Sequence, residues 1–340
     1  MVREIVIIGN PVAGGEALKE IRKATQILQE EGYNVRLLLT RRREDAVSFA
    51  RTIAGEEKAR VPSASGKGIE DLPGGSTPRL VIAAGGDGTY NEVANGLALS
   101  PVSMAILPLG TTSVLARELG LPFDLRKALD VALTGKVTTV HLGKVSFENP
   151  APLSRTAPLR TRYFLLMAGI GFDGEVIIGV NERLKRYIGK SAYLLSGIRT
   201  LFGYAPRPLT VKAHSFSPHT ASESPPVPGM QREKELSAYA VIVGKSARYG
   251  GDFMVTPDVH PSDPWLSVFA THGGRRRDLF RYVTGVLQGT HLSLEDVSYF
   301  KAEELSVSGK AHVQIDGEYG GTTPVTIGIE RDALRLVACP

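Results

Sequence analysis

Short runs of apolar residues alternate with longer amphipathic stretches from Ile5 to about Leu133. The short runs predict buried parallel strands and the amphipathic stretches predict helices, an order that is typical of an α/β domain. The predicted strands are Ile5–Ile8, Val35–Leu39, Leu80–Ala84 and Met104–Leu107, and the predicted helices are Glu16–Glu31, Glu44–Ala54, Tyr90–Leu99 and Val114–Leu119. The turn-forming residues 56–78 predict a surface insertion in this pattern.

After about His141 strand-like runs dominate, so the second half of the chain is predicted to be a β-rich domain. Only two sizeable helical segments are expected there, Asp173–Phe202 and Arg276–Gln288. The strand-like runs are Thr138–Val145, Tyr163–Gly169, Pro208–Ala213, Ala238–Gly244, Leu266–Thr271, Leu305–Ser308, Val313–Asp316 and Pro324–Ile329.

Composition narrows the class of protein. The chain has 340 residues, of which 42% are hydrophobic and 22% charged, enough to bury a core and to favour two domains. A net charge of +5 is too mild for a dedicated nucleic-acid binder, so no nucleic-acid partner is expected, but it suits anionic lipid or nucleotide. A single cysteine, no secretion signal and no apolar run of about 20 residues predict a cytoplasmic protein.

Three glycine-containing loops each follow a predicted strand and precede a predicted helix. They are Asn10–Gly15, Gly85–Thr89 and Pro108–Ser113. Free backbone N–H groups at a helix N-terminus favour phosphate, and loops of this kind converge at the carboxyl edge of a parallel sheet. The sequence therefore predicts a nucleotide site, although an ordinary turn explains the first loop equally well.

The second loop is the most specific, because its glycines surround one carboxylate. Asp87 could hold a metal ion or a metal-bound water. Thr89 and Glu92 fit a helix capping box, in which Thr89 is the cap and Glu92 reaches back. Glu92 could therefore have a purely structural role as part of this capping box.

Together these residues resemble the diacylglycerol kinase catalytic domain family, which includes bacterial lipid kinases and the sphingosine and ceramide kinases. The resemblance rests on Asn10-Pro11-x-x-Gly14, the run Gly85–Gly96, Pro108–Thr111 and Ile315–Glu318, in the order typical of the family. It implies an N-terminal α/β nucleotide-binding domain, like that of NAD kinases, and a C-terminal antiparallel β-sandwich domain. We expect the ATP-binding domain to span residues 1–137, the lipid-binding sandwich 138–325, and residues 326–340 to return to the first domain.

The resemblance also implies ATP and Mg²⁺ as cofactors and assigns site residues. The catalytic carboxylates would be Asp316, Glu318 and Asp87; if the strand alternates through Gly317, Asp316 and Glu318 share a face and either could be the base. The nucleotide-binding residues would be Asn10, Pro11, Gly14, Thr40, Gly85, Gly86, Asp87, Gly88, Thr89, Glu92, Gly110 and Thr111.

A structural Mg²⁺ loop is a further family feature of the second domain. Asp263 matches its metal-binding aspartate, with the carbonyls of His260 and Trp265 as the other protein ligands. Ser262 and Pro264 depart from the usual pattern, and an Asx-type turn explains the segment equally well.

Two more departures affect the predicted chemistry. This chain has Ser113-Val114 where many family members have Asn-Asp. Without that aspartate, either Asp87 alone would have to bind the metal or the substrate preference would differ. Lys245 stands where asparagine is usual, and its side chain could contact phosphate or point into solvent.

The predicted function is an ATP-dependent kinase for diacylglycerol or a related lipid. The alternatives are an NAD or other soluble-metabolite kinase and a non-catalytic lipid-binding regulator; a homodimer stays open. A lipid substrate at the membrane surface predicts peripheral association with the inner face of the membrane. The cationic amphipathic segment Val180–Phe202 could dock there or pack on the sandwich.

Overall fold

The structure of the protein is a computed structural model, described here for residues 4–60, 79–110, 112–150, 160–179, 203–218, 233–250 and 253–339. Two compact units make up the chain. The first unit comprises Met1–His141 and Asp332–Pro340, and the second comprises Leu142–Arg331. Residues 61–78, which are most of the predicted insertion, lie outside the described residues. The whole predicted docking segment, Val180–Phe202, also lies outside them.

The first unit is an α/β structure with a parallel sheet. Its elements are β1 (Glu4–Gly9), α1 (Ala17–Glu30), β2 (Asn34–Leu39), α2 (Asp45–Arg60), β3 (Leu80–Gly85), α3 (Asp87–Leu97), β4 (Ser103–Pro108), α4 (Val114–Glu118) and α5 (Leu125–Thr134). The strands lie in the order β2-β1-β3-β4, and Arg335 and Leu336 pair in parallel with Ser103 and Met104. The carboxyl ends of β1, β3 and β4 therefore share one edge, as predicted.

All four predicted strands of the first unit are confirmed, but some helix boundaries differ. Helix α2 continues to Arg60, so the prediction that an insertion begins at residue 56 is wrong for residues 56–60. Helix α3 begins at Asp87 and α5 was not predicted. Buried Ala128, Leu129 and Ala132 give α5 the apolar stripe by which the sequence could have revealed it.

The second unit is built mainly of antiparallel strands. Its elements are β6 (Thr161–Phe164), β7 (Met167–Ile170), α6 (Phe172–Gly179), β8 (Leu209–Pro218), β9 (Glu233–Ala238), β10 (Ala240–Gly244), β11 (Arg248–Gly250), β12 (Phe253–Met254), β13 (Leu266–Thr271), α7 (Arg276–Gln288), β14 (Val297–Gly309) and β15 (His312–Ile315). Strand β5 (Lys136–Pro150) leads into this unit and β16 (Glu318–Ala338) leads out of it.

The sheet of the second unit follows the order β15-β7-β10-β13-β14-β8-β9, and β16 pairs with both β15 and β14. Each unit has its own apolar core. That of the first includes Ile5, Ile7 and Ile82, and that of the second includes Phe164 and Phe300. Within the described ranges no helix is long and apolar enough to cross a membrane.

Two strand predictions in the second unit need correction. The run Tyr163–Gly169 is two strands, β6 and β7, separated by Leu165 and Leu166. Strand β15 ends at Ile315, and Asp316-Gly317 forms a two-residue hairpin turn with positive φ at both positions, 46° and 80°. The predicted alternation through Gly317 is wrong, because Asp316 is a turn residue rather than a strand residue.

Helix α3 packs closely against α2 at Gly96. A β-carbon at Gly96 would lie 2.4 Å from Cβ of Ala50 and 2.7 Å from the carbonyl oxygen of Val47. Gly96→Ala should therefore lower the free energy of unfolding by about 1–3 kcal/mol, measured by urea denaturation followed by far-UV circular dichroism. Gly55→Ala in α2, where nothing lies within 4 Å, is the control and should be neutral or slightly stabilising. Equal stability of the two variants would contradict this packing.

Candidate active site

The three glycine loops of the first unit contact one another through backbone atoms. A β-carbon at Gly110 would lie 2.7 Å from Cα of Gly86, and one at Gly14 would lie 2.6 Å from the carbonyl oxygen of Leu109. The N–H groups of Leu109 and Gly110 both donate to the carbonyl of Gly85, at 2.9 and 2.8 Å. The third loop therefore lies against the first two, at positions where only glycine fits.

Side chains in the first two loops also hold backbone in place. Asn10 accepts the N–H of Val12 at its Oδ1, 3.1 Å away, in the loop that also contains Pro11. The hydroxyl of buried Tyr90 donates to the carbonyl of Gly85 at 2.6 Å, and burial raises the pKa of this phenol. Thr40 directly follows β2, and its N–H donates to the carbonyl of Gly9. The strand ends thus form a tightly bonded framework.

Asp87 fixes the start of α4, a role that the sequence did not predict. Its Oδ2 accepts the N–H of Val114 at 2.9 Å and its Oδ1 accepts the N–H of Leu115 at 3.0 Å. Burial raises the pKa of Asp87, while these two bonds oppose the rise. The carboxylate that was expected to hold a metal is therefore also the N-terminal partner of another helix.

Glu92 has a similar long-range role. Its two carboxylate oxygens accept the N–H groups of Glu44, at 3.1 Å, and Ala46, at 3.2 Å. Helix α3 begins at Asp87, which places Gly88, Thr89 and Glu92 inside it. The predicted capping box is therefore wrong, because the N-cap of α3 is Gly86 rather than Thr89, and Glu92 accepts N–H groups at the start of α2.

A cavity of about 240 Å³ lies beside the first and third loops. Gly14, Leu109 and Phe123 line it, together with the carboxylates Glu16 and Glu20. Carboxylates repel phosphate, so this cavity does not suit the phosphate groups of a nucleotide. The backbone contacts around Gly86 and Gly110 suit them better. Thr111, predicted to bind nucleotide, lies outside the described residues.

In the second unit the two predicted catalytic acids have different environments. Asp316 accepts three backbone N–H groups, from Leu165 at 2.8 Å, Leu166 at 3.0 Å and Met167 at 2.9 Å. Glu318 accepts one bond at Oε2, from Arg162 at 3.2 Å, and its side chain is 28% exposed. Asp316 is thus committed to the turn, whereas Glu318 presents a carboxylate to solvent.

A buried polar network next to this turn was not predicted. Asp173 accepts bonds from Tyr249 and from Gln314, the latter at 2.6 Å, and Gln314 also accepts the N–H of Gly317 at 2.8 Å. Burial raises the pKa of Asp173. The sequence signal was the run Gly169–Gly174, which, like the second loop, is a glycine-rich turn between a strand and a helix.

The segment predicted to bind Mg²⁺ contacts the buried side chain of Lys245. Nζ of Lys245 donates to the carbonyl oxygens of His260 and Asp263, both at 2.8 Å. Burial lowers the pKa of Lys245 to about 7, and Asp263 opposes this shift. The carboxylate of Asp263 accepts the N–H of His260, three residues earlier in the chain, at 2.8 Å, which is the opposite direction from the bond of an Asx-type turn. In the described part of the chain no three His, Cys, Asp or Glu residues are grouped to hold a metal.

Comparison with known proteins supports the same two-part division. A model of the diacylglycerol kinase catalytic domain matches residues 4–145, and a model of the YegS C-terminal NAD kinase beta sandwich-like domain matches residues 167–338. A curated diacylglycerol kinase of Bacillus subtilis is 28% identical over 324 residues, covering 94% of this chain and 90% of that protein. One of Staphylococcus saprophyticus is 29% identical and covers 72% of each chain.

Solved structures show the same fold. The crystal structure of a diacylglycerol kinase from Bacillus anthracis has a TM-score of 0.65 and 22% identity, and covers 99% of this chain and 97% of that one. Another from the same organism has a TM-score of 0.69, again at 22% identity, with coverage of 99% and 95%. The class of the protein is set by the two family models, a diacylglycerol kinase catalytic domain followed by a beta sandwich-like domain. The chain belongs to the diacylglycerol kinase family, a family of lipid kinases.

The hydrogen bonds that Asp87 accepts from Val114 and Leu115 lead to a prediction about the stability of the protein. Asp87→Ala leaves the N–H groups of Val114 and Leu115 without their carboxylate, so the free energy of unfolding should fall by about 1–3 kcal/mol. Urea denaturation measures this change. Asp130→Ala, at an exposed position of α5, is the matched control and should change stability by no more than about 0.5 kcal/mol. A parent-like midpoint for Asp87→Ala would show that these bonds contribute nothing.

Proposed function

We propose that this protein is an ATP-dependent lipid kinase that transfers the γ-phosphoryl group to the hydroxyl of diacylglycerol or a related lipid. The observation that carries the proposal is the backbone contact between the glycine loops at the carboxyl ends of β1, β3 and β4. Family membership supports the lipid class of the acceptor.

The glycine loops suit phosphate because they leave backbone accessible. No atom from elsewhere in the described chain lies within 4 Å of the position that a β-carbon would take at Gly15. At Gly86 the one such atom within 4 Å of that position is Cα of Gly110, at 3.5 Å. A phosphate oxygen can therefore approach the main chain where a side chain would block it. Bound ATP and Mg²⁺ would supply the phosphoryl group and neutralise charge on its oxygens.

Asp87 would act on the nucleotide in two ways. By accepting the N–H groups of Val114 and Leu115, it fixes the third loop next to the second. Each of its oxygens keeps a further lone pair, which is compatible with a metal-bound water. Because Val114 stands where many family members have an aspartate, Asp87 is the carboxylate that remains for the second and third loops.

Glu318 is the better candidate for the general base. A base needs a carboxylate oxygen within reach of the acceptor hydroxyl, whereas the carboxylate of Asp316 accepts main-chain N–H groups from Leu165, Leu166 and Met167 that hold the turn. Arg162 orients Oε2 of Glu318, and Oε1 has no partner among the described residues. Asp316 is then a positioning residue that sets the turn before Glu318.

Transfer to a lipid requires access to a bilayer, so the proposal includes peripheral association with the inner face of the membrane. The net charge of +5 is compatible with an anionic surface. The segment predicted to dock, Val180–Phe202, lies entirely outside the described residues.

The proposal predicts incorporation of labelled γ-phosphate into a lipid alcohol. The protein is incubated with labelled ATP, Mg²⁺ and mixed micelles of diacylglycerol or a lipid extract, and the labelled lipid is identified. Label in a lipid, abolished by EDTA, is the expected result, because charge on the transferring phosphoryl group needs a divalent cation.

Parallel reactions separate the alternatives. Labelling of NAD with no lipid labelled in any detergent would establish a soluble-metabolite kinase. Binding of lipid without label in any acceptor would establish a non-catalytic regulator. Either result would overturn the proposal.

The assignment of the base predicts that Glu318→Gln lowers kcat by at least about a hundredfold while the melting temperature stays near that of the parent. Glu303→Gln is the matched control, because Glu303 pairs with Arg331 and its side chain is 22% exposed. This control should keep parent activity.

Asp316→Asn completes the comparison. It replaces an acceptor of backbone bonds by an amide, so it should lower the melting temperature as well as the rate. A Glu318→Gln variant with parent turnover would rule out Glu318 as the base.

A further inference from the structure

The side chain of Lys245 is completely buried in the second unit, directly after β10. Burying an amine is unfavourable unless its hydrogens are bonded. Here Nζ donates to the carbonyl oxygens of His260 and Asp263, each at 2.8 Å, and the N–H of Lys245 donates to Leu166 at 2.8 Å. The lysine therefore connects β10 to the 260–263 loop.

The loop leaves no free acceptor at His260. The carbonyl oxygen of His260 accepts the N–H of Asp263 at 2.9 Å as well as Nζ of Lys245. A carbonyl oxygen has two lone pairs, and both are used. The backbone oxygen that the family resemblance offers to Mg²⁺ is thus already satisfied by the protein itself.

A divalent cation would also compete with the lysine amine for these carbonyl oxygens. Mg²⁺ binds oxygen at about 2.0–2.1 Å, so an ion on either carbonyl would lie within about 5 Å of Nζ. In addition, one oxygen of the Asp263 carboxylate already accepts the N–H of His260. The donor set does not fit the structural metal.

We propose that the side-chain nitrogen of Lys245 takes the place of a divalent cation in the second unit, so that the 260–263 loop keeps its conformation without metal. Two hydrogen bonds from one amine hold the carbonyls of His260 and Asp263, and the carbonyl of His260 is one that the family resemblance assigns to the metal. The requirement for Mg²⁺ in phosphoryl transfer belongs to the nucleotide and is separate, so the proposal does not depend on the proposed function.

The test measures thermal unfolding of the full chain without nucleotide, in EDTA and in millimolar Mg²⁺ or Ca²⁺. Trp265 is the only tryptophan and lies two residues from Asp263, so its fluorescence reports this loop. The parent should melt at the same temperature in all three conditions.

Two variants test the lysine directly. Lys245→Met fills the same space without donors, and its melting temperature should fall by roughly 5 °C in every condition. Lys245→Asn removes the amine and shortens the side chain, so it should be destabilised in EDTA and recover by a few degrees when the cation is added. Lys212→Asn, whose lysine forms an exposed pair with Glu235, is the matched control and should not respond.

Equilibrium dialysis with ⁴⁵Ca²⁺ adds a readout that is independent of folding temperature. The parent and Lys245→Met should bind no calcium, and Lys245→Asn should bind about one equivalent. A parent that binds calcium, or that melts several degrees lower in EDTA, would overturn the proposal. A Lys245→Asn variant that binds no calcium, and whose melting temperature does not rise with the cation, would contradict the proposal that the lysine replaces a metal.

Discussion

The close approach of backbone at Gly86 and Gly110 is the constraint on which the candidate nucleotide site depends. A β-carbon at Gly110 would lie 2.7 Å from Cα of Gly86, so a side chain there would force the second and third loops apart. Their separation would break the bonds from Leu109 and Gly110 to the carbonyl of Gly85. The same movement would pull Val114 away from Asp87. The order of the loops, the capping of α4 by Asp87 and the proposed binding of phosphate thus depend on the same steric requirement.

Carboxylates and an amine at distant positions in the chain satisfy main-chain groups throughout both units. Asp87 and Glu92 hold the first turns of α4 and α2, Asp316 holds the Leu165–Met167 segment, and Lys245 holds two carbonyls. Buried main-chain groups need partners, and a side chain can supply them where the chain turns too sharply for regular pairing. In this protein, therefore, a charged residue within a motif can be needed for the fold as well as for chemistry.

The sequence predicted the parallel strands and the glycine loops well because buried strands are continuous apolar runs and glycine marks sharp turns. It did not predict the partners of the motif acids. The interpretation of Glu92 as a local cap followed from its spacing to Thr89, but its actual partners, Glu44 and Ala46, are more than 40 residues away. The two possibilities considered for Lys245 did not include its burial against His260, which only long-range packing determines.

The pairing of β4 with Arg335 and Leu336 has a consequence for synthesis of the chain. The ribosome completes Met1–His141 long before residues 332–338 exist, and all of Leu142–Arg331 must be made in between. At about 5–20 residues per second this interval lasts on the order of 10–40 seconds. During that time Ser103 and Met104 present an unpaired strand edge, the kind of surface that recruits other chains. Chaperone assistance would therefore matter most in the interval after the first unit has been made and before residues 332–338 are added.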